Sequence, residues 1–64
     1  MRIDQAKVAV RAALGVLVGV VFESIERVTD ETEFWTGTVR IPDGRRYDFT
    51  VDCDSGAAGV ELAV

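Results

Sequence analysis

No histidine occurs among the 64 residues. Its absence removes the usual general base, the usual zinc ligand and the one side chain that titrates near neutral pH unaided. A single cysteine, Cys53, excludes an internal disulfide and fits a reducing compartment. Its neighbours Asp52 and Asp54 disfavour a thiolate, so Cys53 reads as a small buried hydrophobe rather than a nucleophile. No apolar run is long enough to span a bilayer. The longest, 12–22, lacks the small-residue cleavage pattern of a secretory signal, and Asp4 interrupts its basic lead-in. The expected location is therefore cytoplasmic, with no membrane insertion. No phosphate-binding glycine loop, catalytic constellation or cofactor motif is present, so neither an enzyme nor a cofactor is expected.

Positive charge is also scarce in most of the chain. The net charge is −4, and the two signs are unevenly spread. Residues 1–20 carry Arg2, Lys7 and Arg11 against Asp4, or +3 − 1 = +2. Residues 21–64 carry four arginines against ten acids, or +4 − 10 = −6. Such a region does not bind nucleic acid directly, because phosphate contacts need clustered Lys and Arg. It suits solvation of a sheet face, or a basic partner surface. A chain this short forms one domain and is marginal alone, so a homodimer is an open arrangement.

What is present is a hairpin that sets its own register. Pro42 presets the first corner of a type I turn, Asp43 suits the second, and Gly44 can take a positive φ. The three-residue loop places Ile41 opposite Arg45, Val39 opposite Tyr47, Gly37 opposite Phe49 and Trp35 opposite Val51. Apart from Arg45, the side chains of that face are apolar. The other face carries Thr36, Thr38, Arg40, Arg46, Asp48 and Thr50, and a one-residue slip would bury them.

Upstream, Ile3, Ala6, Val10, Ala13, Leu14 and Leu17 repeat at helical spacing, predicting a helix over residues 3 to 17. Asp4 is the expected N-cap, and Lys7 stands where a capping box wants Glu or Gln. Gly15 and Gly19 are candidate stops, and the β-branched residues after Gly15 favour the earlier one. A first strand is expected over 20–28. A bulge near Glu23 or Ser24 would place Val20, Phe22, Ile25 and Val28 on one face. Residues 29–32 and 52–58 read as turns, and 59–64 as the last strand. The fold class that follows is α+β: one N-terminal helix packed on a four-stranded antiparallel β-meander, in two layers.

The segment 39–60, from the hairpin through the turn carrying Val51-Asp52 and Ser55-Gly56, resembles the PepSY domain family. The Ala-rich opening 6–13 is similar to that family's helix. The resemblance implies a protein-binding or peptidase-inhibiting role, usually outside the cytoplasm, and brings no catalytic residues. The order of helix then meander is also similar to a small accessory protein of gas vesicles.

Candidate binding residues lie on the polar sheet face. Arg40 and Arg46 should oppose each other, with Arg45 beside them, an unfavourable grouping unless it meets an anionic partner. Asp48 and Asp43 are the expected neutralising acids. Phe34 has the parity of that face and should be exposed there, forming a patch if Val21 and Ile25 join it. Asp52, Asp54 and Glu61 are carboxylates that Ca²⁺ would accept, but a turn in which Asp and Ser bond their own backbone accounts for 52–56. The functional expectation is an interaction or inhibitory module that binds a protein through its open sheet face or an edge strand. The alternative is a small acidic inhibitor, of phage or mobile-element type, occupying a basic site on a nucleic-acid enzyme.

Overall fold

A computed structural model describes residues 1–63. The elements are α1 (Ile3–Leu14), β1 (Val21–Thr29), β2 (Glu33–Arg40), β3 (Arg46–Asp52) and β4 (Ala58–Leu62). The strands form one antiparallel sheet in the order β1-β2-β3-β4, with the helix on one face. This is the expected α+β arrangement.

The helix begins and ends differently from expectation. Arg2, not Asp4, is the N-cap, and its backbone N–H donates to Gln5 Oε1 at 2.8 Å. The reach back from Gln5 is half of a capping box, and with Arg2 as the cap it is Gln5, not Lys7, that holds its third helical position. At the other end Gly15 takes φ +71°. Its amide reaches the Ala12 carbonyl at 3.2 Å, and the Val16 amide reaches Arg11 at 3.2 Å. This Schellman pattern satisfies the last carbonyls and stops the helix before Leu17.

The hairpin adopts the expected register, with Trp35 opposite Val51, Gly37 opposite Phe49 and Val39 opposite Tyr47. Ile41 and Arg45 close the turn through a 3.0 Å backbone bond, and Gly44 has φ +93°. Ala6, Val10, Val39, Phe49 and Val51 are the buried core. Phe22 meets Phe49 edge to face at 5.7 Å. Lys7 and Arg11 are not on a purely wet stripe: they lie over the Phe22 ring at 5.3 and 5.4 Å and roof the β1 side of the core.

The bulge falls between Phe22 and Ser24. Phe22 and Ile25 stay on the helix side, opposite Val39 and Gly37. Val28 does not, because after the bulge its partner is Phe34 on the open face, while Arg27 faces Trp35. Ser24 Oγ accepts the Thr38 amide at 3.1 Å. β1 runs so close to β2 here that a Cβ on Gly37 would lie 2.0 Å from the Ser24 carbonyl oxygen. The last strand ends at Leu62; Val64, expected in it, lies outside the described residues.

Candidate functional site

The open sheet face is built from alternate residues: Ser24, Glu26 and Val28 on β1, Phe34, Thr36, Thr38 and Arg40 on β2, Arg46, Asp48, Thr50 and Asp52 on β3. Its centre is internally satisfied. Thr36 Oγ1 donates to the Phe49 carbonyl at 3.1 Å, and Thr38 Oγ1 bonds Asp48 Oδ1 at 3.3 Å.

Arg40 and Arg46 do face each other. The acid that separates them was not the one expected. Glu23, thrown onto this face by the bulge, takes Arg46 Nε on Oε1 at 2.7 Å. That bond, then the charges of Arg46 and Arg40, hold Glu23 below the usual carboxylate range. Asp43 pairs instead with Arg45 at 3.0 Å, and Asp48 is engaged by Thr38. Arg40 is left with no ion pair among the described residues.

Phe34 is half-buried rather than exposed, flanked by Val28 and Asp52. Ile25 points to the helix side and does not join it. The exposed apolar residues lie elsewhere. Leu17 is 75% exposed and Val18 is 82% exposed on the loop after α1, and Val21, directly across from Arg40, is 44% exposed. A Cβ on Gly19 would meet Pro42 at 2.8 Å, so this loop leans on the hairpin turn. Leu17, Val18, Val21 and Arg40 thus share one end of the molecule. The sequence signal that could have found them is Gly15: a helix stopped there strands the apolar residues behind it. Beside this end, Gly44, Arg45, Arg46, Leu62 and Ala63 line a shallow open hollow of about 290 Å³.

The opposite end is acidic. Asp30 and Glu31 turn between β1 and β2, and Asp52 and Asp54 turn between β3 and β4. Asp52 Oδ1 accepts the amides of Asp54 at 2.8 Å and Ser55 at 3.0 Å. Those amides hold Asp52 below its ordinary value, and the turn is the self-bonded one expected. Glu61 lies further along β4, opposite Asp48. Cys53 bonds Glu33 through its amide at 3.0 Å, but its thiol is half-buried, not in the core.

No known protein family matches the chain, and neither a curated protein nor a solved structure matches it. No helix among the described residues is long and apolar enough to cross a membrane.

Proposed function

We propose that this chain is a non-enzymatic protein-interaction module that receives its partner at the hairpin-turn end of the open sheet face. The observation that carries the reading is Arg40. It has no ion pair among the described residues, and exposed Val21, Leu17 and Val18 share its end of the fold. An arginine beside exposed apolar side chains fits a partner segment that brings a carboxylate among apolar residues. The PepSY-like order of elements supports a binding role, and the lone cysteine supports a cytoplasmic one.

Affinity capture from extracts of the cell that makes the protein tests this. A partner should be retained by the native chain and lost with Arg40→Glu or Val18→Asp. Retention unaltered by both substitutions would refute the site, and no specific partner at all would refute the role.

The acidic end favours a second reading, in which the chain occupies a basic site on a nucleic-acid enzyme. Asp30, Glu31 and Asp54 have no ion pair among the described residues. Capture would then weaken steeply with salt and with Asp30→Asn/Glu31→Gln, and ignore Arg40→Glu.

A further inference from the structure

We propose that β4 pairs with β4 of a second copy, joining two sheets across a two-fold axis at Val60. The two edges of the sheet differ. β1 is guarded by its bulge and by Glu23, Glu26 and Arg27. β4 is a short, straight strand whose one charge is Glu61, and among the described residues no other strand borders it.

The ladder fixes which groups are free. Asp52 N–H donates to Ala57 and Ala63 N–H donates to Arg46, both at 2.9 Å. Between those bonds, Gly59 and Glu61 turn their backbone groups toward β3, and Ala58, Val60 and Leu62 turn theirs outward. An antiparallel copy centred on Val60 sets Ala58 against the partner subunit's Leu62 and Val60 against the partner subunit's Val60. The outward amides and carbonyls of Ala58, Val60 and Leu62 are then all matched. On the open face Glu61 falls opposite the partner subunit's Gly59, so no like charges oppose each other across the new seam. Moving the register one step toward the C-terminus sets Glu61 against the partner subunit's Glu61 and, within Ala58–Leu62, keeps fewer bonds. Within Ala58–Leu62 backbone bonding selects the Val60-centred register, and charge adds to that against the step toward the C-terminus.

The helix layer agrees. α1 lies over β3 and β4. Lys7 and Arg11 point toward β1, onto Phe22, so the flank toward the free edge carries Gln5, Ala9, Ala12 and Ala13. With strands about 4.8 Å apart, a helix above the β3–β4 seam stands about 4.8 Å from an axis outside β4. Two copies bring their helices to about 10 Å, the ordinary packing distance, across three alanines with Gln5 at one end of the flank. Leu62, 53% exposed in the single chain, lies at that seam.

Gly59 supplies the test. A Cβ there meets nothing within 4 Å, and its φ is ordinary, so substitution leaves the fold intact. In the proposed register Gly59→Lys faces the partner subunit's Glu61 twice, and Gly59→Glu places like charges there twice. Sedimentation equilibrium should show the native chain dimerising, with Gly59→Lys tightening and Gly59→Glu weakening the dimer about fivefold each. Circular dichroism confirms folding of both. Amide exchange at Ala58, Val60 and Leu62 should slow with rising protein concentration, while β1 amides do not respond. A monomer at millimolar concentration, or a dimer indifferent to both substitutions, would overturn the proposal. Arg40 and Val18 lie away from this edge, so the partner site stands or fails separately.

Discussion

Glu23 and Asp52 show how single residues are held. Both carboxyls lie below their ordinary range, Glu23 through Arg46 and Asp52 through the amides of Ser55 and Asp54. A depressed folded value means that their contribution is present above the unfolded value and lost as pH falls through the folded one. The thermal midpoint should therefore decline on acidification below the usual carboxylate range. Glu23→Gln and Asp52→Asn should each flatten that decline, and an unchanged acid limb in both would contradict the assignment. Gly37 is constrained by space rather than charge. Its missing Cβ leaves room for the β1 backbone, 2.0 Å from where that atom would sit. Gly37→Ala should cost about 1–3 kcal/mol or more, lowering the midpoint by roughly 10 °C in a domain this small. Thermal melts read this directly, and a loss under 2 °C would mean that β1 does not approach so closely.

At the scale of elements, the helix and the hairpin were legible to different degrees. The Pro42-Asp43-Gly44 turn specifies its pairing from local chemistry, and every cross-strand partner named for it is found. The apolar spacing continues to Leu17, whereas the helix ends at Leu14. Gly15 outweighs periodicity there, since its left-handed backbone closes the last turn. Val10→Ala should cost about 2 kcal/mol by opening the core, whereas Leu17→Ser should leave stability within about 0.5 kcal/mol. Urea titration of the pair distinguishes a helix that stops from one that runs on. The bulge was anticipated near the right residue, but its consequence for Val28 was not. The side a strand residue faces after a bulge depends on the partner strand, which one sequence segment does not contain.

As a whole molecule, the chain is small and polarised. Among the described residues five buried side chains form its core, a slender basis for stability in isolation. Its basic, apolar end and its acidic end lie at opposite ends of the sheet, a separation hidden in the linear charge count. If β4 joins two copies, folding is linked to association and the thermal midpoint should rise with protein concentration. A midpoint constant from micromolar to millimolar would place the stability in the single chain.

Short-range chemistry was enough to declare the hairpin, its register, the polar and apolar sheet faces, and the self-bonded turn at Asp52. Those features depend on neighbours a few residues apart, and their turn residues and alternation carry the information. Folding in three dimensions decided that Glu23 rather than Asp48 meets Arg46, that Arg40 has no ion pair among the described residues, and that Phe34 is sheltered while Leu17 and Val18 are bare. Each of these outcomes compares groups distant along the chain. Only the meeting of strands and helix settles which charge arrives first and which apolar side chain finds cover.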